Sequence, residues 1–201
     1  MKTPPLMIKR TGLSIFISLI CLIASGQQPV GGIINDYTEV LGYEPCDNSL
    51  LVNNALAFNV GDTVVLMQMK GALIDSSNTT SFGQVADYRN SGNYEFNYIS
   101  GKNGNRLQLK NQLLHGYDIP DGKVQLIRVP YYQSVRITSP LTCLAWDGGK
   151  GGVLVLNVLG SIEMLADIEI SGTGFRGARM ETLHSDCNNT GIYFGASSTM
   201  G

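Results

Sequence analysis

The stretch DGGKGGVLVLNVLG, from Asp147 to Gly160, joins a glycine-rich head to an apolar tail, and two folds are consistent with it. Its glycines either cradle a phosphate through backbone N–H groups or turn the chain sharply before a buried strand. A phosphate loop also needs a hydroxyl residue behind its lysine and a helix whose N-terminus faces the anion. The residues behind GGKGGV are LVLN, which supply neither a hydroxyl nor a helical pattern. We therefore predict glycine turns followed by a strand, within an all-β fold.

Two segments before this stretch have the pattern of strands. Residues 63–69, TVVLMQM, are apolar on both faces of an extended chain, which is typical of a central strand covered on each side. Residues 93–99, NYEFNYI, alternate, because successive side chains of a strand point to opposite faces. This alternation places Tyr94, Phe96 and Tyr98 together on one face.

The segments that follow are separated by turn residues. Asn103-Gly104 favours a tight hairpin turn because both residues tolerate positive φ. Pro130 ends the strand predicted over 123–129, since proline cannot donate to a ladder, and a further strand is predicted over 134–138. Residues 27–140 are therefore predicted to form a β-rich module, a strand array of sandwich or barrel type.

Residues 141–201 form a second, glycine-rich β segment. Residues 161–171, SIEMLADIEIS, alternate apolar and acidic side chains, and glycines at 160, 172, 174 and 177 break the strands. Short alternating strands with glycine corners indicate β-helix-like rungs or sandwich strands. We expect this segment to continue beyond the end of the chain.

Residues 1–26 have the organisation of a signal peptide. Lys2, Lys9 and Arg10 form a basic region, and an apolar core of 13 residues, GLSIFISLICLIA, follows. This core is shorter than the roughly 20 apolar residues that a membrane span needs. Small residues precede the predicted cleavage after Gly26. The sequence thus predicts an exported protein, released to the outer surface or the medium, with no membrane span in the mature chain.

The charge of the mature chain argues against two classes of partner. Removing residues 1–26 leaves 11 Lys and Arg against 16 Asp and Glu, a net charge of −5. A mildly acidic chain without a basic run is not expected to bind nucleic acid or anionic membrane surfaces. No motif predicts a cofactor.

Three cysteines remain after cleavage: Cys46, Cys143 and Cys187. In an exported protein the usual role of two of them is a disulfide, and the odd count leaves one free or paired outside the chain. His184, Asp186 and Cys187 lack the second half of a metal motif, so we expect no metal site.

No catalytic residues are predicted. Only His115 and His184 are present, and neither lies in a recognised catalytic motif. Tyr131, Tyr132 and Trp146 form a candidate ligand-binding platform, because flat apolar rings stack on the faces of sugars. The alternative is that these three side chains pack in the core or at its rim.

Residues 57–178 resemble the N-terminal region of large exported surface proteins of Bacteroidetes. Such proteins often end in a sorting domain of the gliding-motility or type IX secretion kind. The most specific segments are GDTVVLMQMKGA, GNYE, GKVQL, WDGGKGG and SGTGFRG. The resemblance implies an exported, surface-displayed or released β-rich protein with an adhesive role, and it carries over no catalytic residues.

Three functional hypotheses follow. The first is a non-enzymatic module of a large adhesin-like protein, with the export machinery and surface glycans or other cell-surface components as partners. The second is a carbohydrate-binding or carbohydrate-processing protein that uses Tyr131, Tyr132 and Trp146. The third is an enzyme whose catalytic part lies beyond Gly201.

Overall fold

The computed structural model describes residues 27–175, and this part of the chain contains strands and no helix. Accordingly, no helix within these residues is long and apolar enough to cross a membrane. The strands are β1 (Gln28–Ile33), β2 (Tyr37–Glu44), β3 (Ser49–Val52), β4 (Thr63–Gln68), β5 (Leu73–Ile74), β6 (Val85–Asp87), β7 (Tyr94–Asn103), β8 (Arg106–Leu109), β9 (Val124–Arg128), β10 (Tyr131–Tyr132), β11 (Val135–Thr142), β12 (Asn157–Val158) and β13 (Ile162–Met164). The predicted all-β fold is confirmed.

Six antiparallel strands close into a barrel in the order β2-β3-β8-β7-β4-β9. Its interior is filled by a cluster of buried apolar side chains that includes Val40, Leu50, Val64, Leu66, Leu107 and Leu126. The predicted hairpin at Asn103-Gly104 joins β7 to β8, and Gly104 has a φ of 57°. Of the two predicted options, sandwich or barrel, the chain therefore forms the barrel.

The remaining long strands pair in parallel and form a separate stack. β11 lies between β1 and β13, and β10 pairs with β12. Val135 is paired with Ile162, and Leu141 with Ile168, so that one turn of the stack takes 27 residues (135 to 162 and 141 to 168). Parallel rungs at a constant spacing are the geometry of a β-helix, which is one of the two arrangements predicted for this region.

The barrel is inserted between the first and second rungs of this stack. β1 is the first rung, the chain then builds the barrel from β2 to β9, and β10 and β11 return to the stack. The division predicted between residues 140 and 141 falls within β11.

Residues 151–155 connect the stack to the barrel, and we call them the docked segment. The side-chain amide of Gln125 accepts from the Gly151 N–H at 2.8 Å and donates to the Gly151 carbonyl at 3.0 Å. The Tyr37 hydroxyl donates to the carbonyl of Val153 at 2.6 Å. Every second residue of the segment is thus held by a barrel side chain, as it would be by a neighbouring strand.

Asn35 completes this arrangement at Val155. Its amide donates to the Val155 carbonyl at 2.6 Å and accepts from the Val155 N–H at 3.1 Å. The same amide also donates to the carbonyl of Arg128 on β9. Because Asn35 and Gln125 are buried, these bonds satisfy polar groups that water does not reach.

Apolar packing reinforces these hydrogen bonds. Val65, Ile127 and Val129 point outward from the barrel and are buried, and Val153 and Val155 pack against them. β4 and β9 are therefore covered on both faces, as predicted for the apolar segment 63–69.

The glycine head allows the docked segment to approach this closely. Gly151 has a φ of 102°, and a Cβ added there would lie 2.6 Å from the Ala145 carbonyl oxygen and 2.8 Å from that of Leu144. Only glycine fits both the conformation and the space. This is the structural role of the sequence GGKGGV.

Substituting Gln125 tests the contribution of this contact to stability. Gln125→Ala leaves the buried N–H and carbonyl of Gly151 without partners, and we expect it to lower the free energy of unfolding by about 2–4 kcal/mol. Gln133→Ala, a change on the exposed surface, is the matched control and should remain within about 0.5 kcal/mol of the wild type. Urea denaturation measures both, and an equal effect of the two substitutions would contradict the proposed role of Gln125.

The pKa of Tyr37 gives the contact a pH dependence. Burial, together with the nearby Cys143, raises the pKa of Tyr37 from 10.0 to about 12. Its stabilising contribution is therefore complete below the unfolded pKa and is lost as the pH rises from about 10 through about 12. We expect the stability difference between the wild type and Tyr37→Phe to shrink over this range in urea denaturation. A difference independent of pH would be inconsistent with this account.

Candidate functional site

The three aromatic residues predicted as a platform do not share one exposed surface. Tyr131 is exposed, while its neighbour Tyr132 packs against the apolar core of the stack, and burial raises the pKa of Tyr132. Trp146 is only 1% exposed, and Phe175 contacts it edge to face at a centroid distance of 5.4 Å. The indole face of Trp146 is thus part of the packing and is not available for stacking on a sugar.

The glycine head forms a turn that satisfies its own N–H groups. The Asp147 carboxylate accepts from the N–H groups of Gly149 and Lys150, both at 2.9 Å, and from Lys150 Nζ at 2.8 Å. Burial by itself would raise the pKa of Asp147, but the hydrogen bonds from Lys150 and Gly149 outweigh it and lower the pKa. A carboxylate of the chain therefore occupies the position that an anion would take in a phosphate loop.

The cysteines and the acidic residues form no site in the described part of the chain. Cys46 is exposed, Cys143 is buried with its thiol 3.2 Å from the Thr173 hydroxyl, and no disulfide joins the two. Cys187 lies outside residues 27–175. Within these residues no three His, Cys, Asp or Glu side chains are arranged to hold a metal ion.

The most distinctive surface is on β7. Tyr94, Phe96 and Tyr98 are 57%, 55% and 47% exposed, and they occupy alternate positions of one strand. We call these three side chains the aromatic row. The alternation of residues 93–99 predicted their common face, but sequence reasoning did not recognise that this face points to solvent.

The row faces outward because the polar residues between its members point into the barrel. Each oxygen of the Glu95 carboxylate accepts a backbone N–H, one from Leu114 at 3.0 Å and one from His115 at 3.3 Å. The amide of Asn97 exchanges two hydrogen bonds with the backbone of Asn111. These bonds offset the cost of burying Glu95 and Asn97.

The surroundings of the row differ on its two sides. On the β4 side, Val65 pairs with Phe96 and is covered by the docked segment. On the β8 side, Lys110 places its ammonium group 5.6 Å from the centre of the Tyr98 ring, within the range of a cation–π contact. The row therefore borders a covered wall on one side and a polar surface on the other.

Beyond the row, the outer wall contains a groove of about 370 Å³, which we call the wall groove. The residues that matter for its chemistry are Asp47, Ser49, Gly101, Arg106 and Gln108. The Ser49 hydroxyl donates to Asp47 Oδ1 at 2.6 Å and accepts from Arg106 Nη1 at 3.2 Å. Within residues 27–175, Asp47 Oδ2 and Gln108 Oε1 have no hydrogen-bond partner, so each can accept a hydrogen bond from a ligand.

No protein-family model matches this sequence, and no curated protein matches it. A solved structure, the Gp54 tailspike of Acinetobacter baumannii bacteriophage AP22 in complex with A. baumannii capsular saccharide, is similar with a TM-score of 0.37 and 15% identity. The similarity covers 71% of this chain and 23% of the tailspike chain, so the chain spans about a quarter of the tailspike's length. A similarity this low does not transfer a fold or a function from one protein to the other.

The fold defines an all-β protein in which a closed antiparallel barrel is inserted into a parallel stack. The candidate site of this class is the outer wall of the barrel, where the aromatic row and the wall groove lie.

Proposed function

We propose that this protein is an exported, surface-displayed, non-enzymatic module of adhesive character, which binds its target through the outer wall of the barrel. The aromatic row is the single observation that carries the proposal. Three large rings exposed side by side on one strand are costly to leave in water, and such exposed apolar groups commonly mark interaction sites.

The row is also held rigidly, as a binding surface requires. β7 is paired on both sides, with β4 and with β8, so its backbone hydrogen bonds belong to the closed barrel. The adjoining β4 is in turn fixed by β9 and the docked segment. Side chains on such a strand lose little conformational freedom when a ligand binds.

Export and surface display enter the proposal from the sequence. Residues 1–26 have the pattern of a signal peptide, and residues 57–178 resemble exported surface proteins of Bacteroidetes. The carbohydrate-binding alternative no longer depends on Tyr131, Tyr132 and Trp146, because Trp146 is buried.

A triple substitution of the aromatic row tests the proposal. The mature chain is passed over particles of cellulose, chitin, peptidoglycan and collagen, and we expect retention on at least one of these surfaces. Replacing Tyr94, Phe96 and Tyr98 by Ser removes the three rings, and we expect retention to fall at least about tenfold.

The chain offers a matched control. Phe82, Tyr88 and Tyr131 are exposed aromatic residues outside the row, and their replacement by Ser makes the same chemical change elsewhere. This control should be retained like the wild type. Absence of retention on all four surfaces, or equal retention of the row variant and the wild type, would refute the proposed function.

A further inference from the structure

We infer that the ligand of the barrel wall is a neutral glycan chain, which lies along the aromatic row and extends into the wall groove. The inference rests on the proposed function and names its ligand and its site. Neither Tyr131 nor Trp146 takes part.

The row suits consecutive sugar rings. Alternate residues of a strand are roughly 6.8 Å apart, so the first and last rings of the row are separated by about 14 Å. Tyr94, Phe96 and Tyr98 each expose about half of their side chain, which leaves apolar ring surface available while the remainder rests on the barrel. A pyranose has an apolar face of C–H groups and a rim of hydroxyls, so it can cover such a ring without losing contact between its hydroxyls and water.

The groove supplies the hydrogen bonds that sugar hydroxyls need. A hydroxyl both donates and accepts, and the groove offers the Arg106 guanidinium as a donor and the carboxylate of Asp47 and amide oxygen of Gln108 as acceptors. Ser49 is buried and hydrogen-bonded to both Asp47 and Arg106, so these groups are positioned before a ligand arrives.

The row and the groove are continuous along β7. Ser100 follows Tyr98 on the same face, and its hydroxyl donates to the carbonyl of Gln108 on β8. Gly101 comes next and lines the groove, opposite Gln108 in the β7–β8 register. A single chain molecule can therefore contact the rings first and the polar groups immediately afterwards.

The dimensions of the site favour a glycan over a protein. A stable protein interface buries about 800 Å² on each partner around an apolar centre. Here the apolar surface is one strand wide, because the docked segment covers β4 and β9 on one side and the polar groove begins on the other. A narrow strip that is apolar at one end and polar at the other fits a linear polymer of sugars.

The charges favour a neutral glycan. Arg106 and Asp47 lie in the same groove and are linked through Ser49, so the groove presents both signs. The mature chain carries an excess of acidic residues, which disfavours polyanions at a distance.

Native gel electrophoresis in gels containing a dissolved polysaccharide tests the inference. The probes are a β-glucan, a mannan and a xylan, with hyaluronate as the acidic comparison. We expect at least one neutral polysaccharide to retard the wild type and the Phe82, Tyr88, Tyr131→Ser control. The row variant should bind at least about tenfold more weakly, and the double variant Arg106→Gln, Gln108→Ala several-fold more weakly.

The folded state of each variant is checked by thermal unfolding. If the triple row variant does not fold, Phe96→Ser alone replaces it, and a several-fold loss of retardation is then expected. Undiminished retardation of these variants would overturn the inference.

Two further outcomes separate this inference from the proposed function. Retention on collagen particles without retardation by any polysaccharide would overturn the glycan ligand and leave adhesion intact. Stronger retardation by hyaluronate than by every neutral probe would also overturn the neutral glycan. Failure of retention on every particle would remove the proposed function itself.

Discussion

Side-chain amides of the barrel take the place of a neighbouring strand for the docked segment, and the rest of the structure depends on this contact. Gln125 and Asn35 each both donate to and accept from one backbone position, at Gly151 and Val155. The segment thereby satisfies its polar groups without joining the barrel ladder. It also brings Val153 and Val155 onto the outer face of the barrel, which joins two sheets of different topology into one packed unit.

This contact also determines which part of the barrel wall is open. The docked segment covers the outward side chains of β4 and β9, whereas β7 retains an uncovered outer face. The aromatic row lies at this boundary, on a strand held from both sides. The exposure of the rings is thus a consequence of how the stack packs on the barrel, and the proposed binding surface follows from that packing.

Local patterns were sufficient to predict the all-β fold, the hairpin at Asn103-Gly104 and the common face of the aromatic row. The direction of that face was not predictable, because Glu95 and Asn97 are buried by hydrogen bonds to residues 111–115. Such bonds depend on tertiary contacts that leave no periodic pattern. The burial of Trp146 was one of two interpretations left open by the sequence. Its contact with Phe175, 29 residues later (146 to 175), decides between them.

Hydrogen exchange at the Gly151 and Val155 amides is the most direct test that the barrel and the stack form one unit. Both N–H groups donate to barrel side chains, so they should exchange only when the barrel core opens, as slowly as the amide of Leu126 on β9. The Gly149 amide, in the exposed turn beside them, provides the fast reference. Exchange of Gly151 and Val155 as fast as that of Gly149 would show that the segment is not docked and would contradict the account.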